Sequence, residues 1–333
     1  MLPRRGLRMT SLASLPSDVL KLILAQLNLM DVLRVCSTAK ALAALLRQLH
    51  EIRMTSVGYA SRTGLRPKAG LGRILEIPTL RLLELKRIPD WSLTHSRLLA
   101  AALRRHGTPP LTTLSLAQSN LGGDLAAALM PAIGENTSLK TLNLSNCHVN
   151  LRGTTAIANA IDANTTLTAL DVSGNGFRQP SRAASNRSIS FINACAKHPA
   201  LTDLNLDYNG LDAGDVPAIG RLLAAGRIRT LSLRGNRLFG RTQKVGGLIA
   251  ASSASIVDGG VQAFVDALAG DGTPLDAVVD IRNILVTAMP TEDTAYRTFC
   301  LQNKLDRWQE LVSDAAARRG IRLVRGAVIV MMG

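Results

Sequence analysis

Polar and apolar positions along the chain follow two alternating rhythms. Short bursts with apolar residues at every second position end in a polar turn, and between them lie longer segments whose apolar residues recur every third or fourth position. The bursts share the pattern LxxLxLxxNxL: LRLLELKRI from Leu80, LTTLSLAQSNL from Leu111, LKTLNLSNCHV from Leu139, LTALDVSGNGF from Leu167, LTDLNLDYNGL from Leu201 and IRTLSLRGNRL from Ile228. Their starts lie 31, 28, 28, 34 and 27 residues apart. The alternation predicts a short strand with its Leu side chains turned to the core. Asn175, Asn209 and Asn236 then stand where an amide can bond backbone groups as the chain leaves the strand, a slot that Ser119 and Cys147 fill in two repeats. The intervening DLAAALMPAI, GTTAIANAIDAN and DVPAIGRLLAA read as helices.

One strand–turn–helix unit cannot bury its Leu face alone, so the units must stack. The fold expected is an α/β solenoid with a parallel concave sheet and convex helices. A repeat of about 28 residues with a full helix resembles the ribonuclease-inhibitor type of leucine-rich repeat, over about residues 80 to 240. The inhibitor's acidic, Cys-rich character is absent, and its activity is not carried over. GGVQAFVDALAG and DAVVDIRNILV, around Val279 and Ile281, read as a weaker seventh unit, so the solenoid is placed at 80–290. FGRTQKVGGLIAASSASIVDG, 239–259, reads as an insertion. Thr294 to Arg319 reads as an amphipathic helix and IRLVRGAVIV as a strand, together a C-terminal cap at 291–333.

Ahead of the repeats, LPSDVLKLILAQLNLMDVLRVCSTAKALAALL, from Leu15 to Leu46, is apolar at helical spacing and broken at Pro16 and Asp31. It predicts two or three short helices within residues 1–50, followed by a linker and N-terminal cap at 51–79. Leu15, Pro16, Asp18, Val19, Leu20, Ile23, Leu27, Asp31, Val32, Val35 and Cys36 fall on a pattern that closely resembles an F-box. The resemblance implies that Leu15, Pro16, Val19, Leu20, Ile23, Leu27, Val32, Val35 and Cys36 dock on a Skp-type adaptor. Through it the chain would join a cullin-based ubiquitin ligase, with the repeats selecting the protein substrate. The aromatic residue often found after Val-Cys is absent, Ser37 to Lys40 standing there instead. Read without the resemblance, the same helices are a cap on a standalone interaction scaffold or inhibitor. The Arg- and Ala-rich composition, with Gly-Asp and Gly-Thr at helix starts, is also similar to secreted F-box/leucine-rich-repeat effectors of plant-associated bacteria, which act in the host cytoplasm or nucleus. Such effectors usually carry a longer Ser-rich lead than the residues before Leu15.

Charge changes the picture modestly. The 333 residues carry 39 Lys and Arg against 24 Asp and Glu, for a net +15, and the excess lies before residue 241. A basic chain suits acidic partners or nucleic acid. With 2 Trp, 3 Tyr and 5 Phe, however, it lacks the stacking residues of a single-strand binder, so nucleic acid is not the expected partner. No window approaches the roughly 18 apolar residues of a membrane span. The four cysteines, Cys36, Cys147, Cys195 and Cys300, form no CxxC pair, which points to a reducing cytoplasmic setting without disulfides or zinc. GxxxxGK[ST], HExxH and GxSxG are absent. Neither a catalytic residue, a metal nor a cofactor is expected.

What remains is recognition. Alternation along each strand places Glu84, Lys86 and Arg87, Ser115 and Gln118, Asn143 and Asn146, Asp171, Asp203, Asn205, Asp207 and Tyr208, and Ser232 and Arg234 on the concave face. An aromatic among opposed charges is the composition of an interface hot spot, which singles out Asp171, Asp207, Tyr208 and Arg234. The long fourth repeat adds a basic rim loop with Arg178, Arg182 and Arg187.

Overall fold

The computed structural model describes residues 51–55 and, with short breaks, 71–238, 262–288 and 307–332. Strands β1 (Glu51–Thr55) and β2 (Leu82–Lys86) are followed by α1 (Leu93–Leu103), β3 (Thr113–Ser115), α2 (Gly122–Glu135), β4 (Thr141–Asn143), α3 (Leu151–Ala163), β5 (Ala169–Asp171), α4 (Arg182–Lys197), β6 (Asp203–Asn205), α5 (Val216–Ala224) and β7 (Thr230–Ser232). After them come β8 (Val278–Asp280), β9 (Leu285–Ala288), β10 (Arg322–Val324) and β11 (Ile329–Met332). Nine strands form one sheet in the order β1-β2-β3-β4-β5-β6-β7-β8-β10, and every neighbouring pair is parallel. This is the leucine-rich-repeat solenoid expected from the sequence.

Register follows from the repeat. Ile52, Leu83, Leu114, Leu142, Leu170, Leu204, Leu231, Val279 and Leu323 align in one row across the sheet. From Leu83 to Val279 each is at most 2% exposed. A one-residue slip would turn the whole row out of the core. A second row, Leu85, Leu116, Leu144, Val172, Leu206 and Leu233, is buried beside it, and both meet helix residues such as Leu129, Ile133, Ile157, Ile161, Phe191, Ile219 and Leu222.

Three findings depart from the sequence reading. Glu51–Thr55, at the start of the stretch read as linker and cap, is a strand paired with β2. The rim loop of the fourth repeat is shorter than expected. Arg182 is the first residue of α4 and Arg187 lies within it, because Ala183 and Ala184 favour a helix that Ile189, Phe191, Ile192 and Cys195 anchor in the core. Finally, IRLVRGAVIV is two strands: β10 extends the main sheet beside β8, and β11 pairs with β9 in a second parallel sheet. Residues 309–318 are helical, as read, while 239–261 and 294–306 lie outside the described residues.

Side chains also tie one repeat to the next where each helix ends. Asn136 Oδ1 accepts from Ser138 N and Leu139 N, and its Nδ2 donates to Leu103 O. Asn164 repeats the pattern on Thr166 N, Leu167 N, Ile133 O and Asn136 O, and His198 Nδ1 accepts from Ala200 N one repeat further on. Asn136 and Asn164 head Asn-x-Ser/Thr sequences, and the structure gives those amides this bridging work.

Candidate interaction surfaces

The strand exits carry a ladder of buried polar side chains. Asn236 Oδ1 accepts from Asn209 N and Leu211 N while Nδ2 donates to Leu206 O and Leu233 O. Asn175 does the same two repeats earlier, accepting from Cys147 N and Val149 N and donating to Leu144 O and Val172 O. Asn209 links the two, accepting from Asn175 N and donating to Val172 O. Cys147 holds the slot with Sγ on Leu116 O at 3.1 Å, and Ser119 with Oγ on Leu85 O. Burial pushes the Cys147 thiol up to about 12, and that of Cys195 higher still. These cysteines are structural, not nucleophilic.

On the sheet face away from the helices, β4, β5, β6 and β8 each end in an Asx turn. Asn143, Asp171, Asn205 and Asp280 each accept, through Oδ1, from the backbone N–H two residues on: Ser145, Ser173, Asp207 and Arg282. Asp171 also takes the Ser173 hydroxyl at 2.7 Å. The residue after the turn is left-handed in every repeat from β2 to β7: Arg87, Gln118, Asn146, Gly174, Tyr208 and Gly235. From Gln118 to Gly235 its N–H reaches the next repeat, bonding Ser145, Ser173, Asp207, Arg234 and Arg282 carbonyls.

The exits of β6, β7 and β8 bring six side chains together. Asp207, 7% exposed, accepts from Ser232 Oγ at 2.5 Å and Arg234 N at 2.8 Å. Burial raises its carboxyl above the usual range, while Ser232 and Arg234 pull the other way. Asp280 takes both carboxylate oxygens to Arg282, at 3.0 Å to Nε and 2.6 Å to Nη2. Burial opposes its ionisation, but Arg282 holds it below the usual range. Tyr208 stays 53% exposed above them. Among the described residues, Arg234 Nε is buried without a hydrogen-bond partner.

Of the four residues singled out from sequence, Asp207, Tyr208 and Arg234 therefore meet. Asp171 is one strand away and holds its own turn. Arg178, the Arg182 side chain and all nine residues expected to dock an adaptor, Leu15 through Cys36, lie outside the described residues. Asp280 and Arg282 were missed. Aligning Val279 and Ile281 with Leu231 and Leu233 would have found them, since this register sets Asp280 beside Ser232.

The fold and its polar ladders thus define a leucine-rich-repeat protein, and family comparison adds the second module. The F-box domain model matches residues 12–53, and the Leucine Rich repeat model matches 135–158 and 163–178. The chain therefore carries an F-box domain ahead of leucine-rich repeats. No curated protein matches it. Among solved structures it is similar to Leiomodin-1 Actin-Binding Site 2 (ABS2), at 18% identity over 46% of this chain and 86% of that one, with a TM-score of 0.36. Among the described residues no helix is long and apolar enough to cross a membrane, and no cluster of three or more His, Cys, Asp or Glu is placed to hold a metal.

Proposed function

We propose that the chain is a non-enzymatic substrate adaptor of a Skp-cullin-F-box ubiquitin ligase. Residues Leu15 to Cys36 recruit the Skp-type subunit, and through it the cullin, while the sheet face presents a protein substrate. The observation that carries this reading is the junction of the two modules. The F-box match ends at residue 53, inside β1, so the docking module runs directly into the first strand of the recognition sheet. An adaptor that must hold a substrate at a fixed place needs such a short connection. Co-elution of the full chain with a purified Skp-type adaptor is the expected result; two folded proteins eluting apart contradict it.

Within that reading, the Arg- and Ala-rich composition supports an effector working in the cytoplasm or nucleus of a host cell. A second reading has one observation in its favour. Among the described residues β1 has β2 as its single neighbour, and an open strand edge calls for a cover. If residues 1–50 serve only as that cover, their removal leaves an insoluble or unfolded repeat array and adaptor binding is never seen.

A further inference from the structure

Three independent observations meet at the exits of β6 to β8. The first is backbone conformation. Left-handed φ recurs at one repeat position, held by Gly174, Gly235 and Asn146, which tolerate it, and by the longer Arg87 and Gln118. Tyr208 occupies it at φ 54°, a conformation disfavoured for a bulky side chain. Local strain of this kind gathers at binding sites.

The second is space. A Cβ on Gly235 would lie 2.3 Å from Tyr208 Cδ1 and Cε1, so the ring occupies room that only a glycine in the next repeat leaves free. Half of the residue nevertheless faces solvent. Among the described residues Leu93, Tyr208 and Leu311 are the large hydrophobics that remain exposed, and Tyr208 alone of these stands at a strand exit.

The third is the balance of polar valences. Asp207 is taken by Ser232 Oγ and Arg234 N, and Asp280 and Arg282 take each other. Asp207 and Asp280 both feel the Arg234 charge, yet Arg234 keeps a buried Nε–H that no described residue accepts. A guanidinium with a free N–H beside an aromatic platform is complementary to a planar anion carried next to an apolar group.

We propose that this rim docks a protein segment bearing a carboxylate side chain beside an aromatic or large aliphatic one, with Arg234 taking the carboxylate and Tyr208 the apolar neighbour. The proposal deepens the substrate-presentation reading and rests on it. Asp207 and Asp280 take no part in contact; they fix the turns that aim Arg234 and Arg282.

The test is selection from a random dodecapeptide library displayed on phage, panned on the immobilised full chain. The wild type should enrich peptides with Asp or Glu within two positions of Trp, Phe, Tyr or Leu. A synthetic copy of the enriched peptide should bind at least tenfold more weakly to Tyr208→Gly, to Arg234→Gln, and when its acid is replaced by Gln. Tyr208→Gly relieves the backbone, so its thermal midpoint should not fall below wild type, and loss of binding there is not loss of fold. Enrichment without acids, affinity unchanged in both variants, or retention of single-stranded oligonucleotide in place of acidic peptide would overturn the proposal. Neither substitution touches residues 12–53, so adaptor co-elution fails or succeeds separately.

Discussion

Asn236 shows how much one side chain holds in a repeat protein. Its amide is fully buried and makes bonds to both neighbouring turns. Asn236→Ala orphans two N–H and two C=O groups without removing much apolar contact, and each buried orphan costs about 1–3 kcal/mol. A loss of at least about 3 kcal/mol is expected by urea denaturation, against less than about 1 for Asn143→Ala, whose Asx bond sits at the partly exposed face. Cys147 and Cys195 give a chemical readout of the same burial. Both should resist iodoacetamide at pH 8 in the native protein and be modified after unfolding, as peptide mass spectrometry would show. Two histidines make stability depend on pH. Burial lowers His95 and His198 from the usual 6.5, and each accepts a backbone N–H through Nδ1, from Ser92 and Ala200. The unfolded chain then binds protons that the native state refuses, so their contribution is present above about pH 6.5 and is lost as the pH falls below it. The thermal midpoint should drop between pH 7 and 5.5, and by less in His198→Asn, where an amide oxygen takes the place of Nδ1.

Elements were legible from sequence wherever the Leu period was strong. The strands of the six repeats and the helices between them follow from LxxLxL and helical spacing, and the Asn slot was read with its bonding role. Polar roles on the open face were not legible. Asp171 and Asn143 look like contact residues until the Asx turns show that they bond their own backbone. The C-terminal region was read as a cap because its composition is charge-balanced, yet β10 continues the sheet in register. Alternation alone cannot say which strand a segment will join. Arg319 illustrates the cost of that region's irregularity. It is 1% exposed, follows the 309–318 helix and sends Nη1 towards Leu268 O at the end of the 264–269 helix. A Cβ on Gly270 would meet that Nη1 at 2.7 Å. Arg319→Ala should therefore cost about 3 kcal/mol or more, through a cavity and an orphaned carbonyl. Arg319→Met, which keeps the volume, should recover part of that loss; equal destabilisation by both would place the whole effect in the charge and its hydrogen bonds.

At the scale of the molecule, two modules follow one another along the chain, an F-box domain and the leucine-rich repeats. Side-chain ladders run through both the strand exits and the helix ends of the repeat sheet and tie each repeat to the next. The F-box signature was legible because it is local in sequence. The rim of β6 to β8 was legible only in part, because Asp280 and Arg282 come to it from beyond a long insertion. The measurement that bears most directly on the whole account is a calorimetric titration of a Skp-type adaptor into the full chain and into Leu15→Ala/Pro16→Ala. The wild type should bind with one site per chain, and the double variant at least tenfold more weakly with its thermal midpoint unchanged. Equal affinity of the two, or no heat from the folded wild type, would contradict the adaptor function.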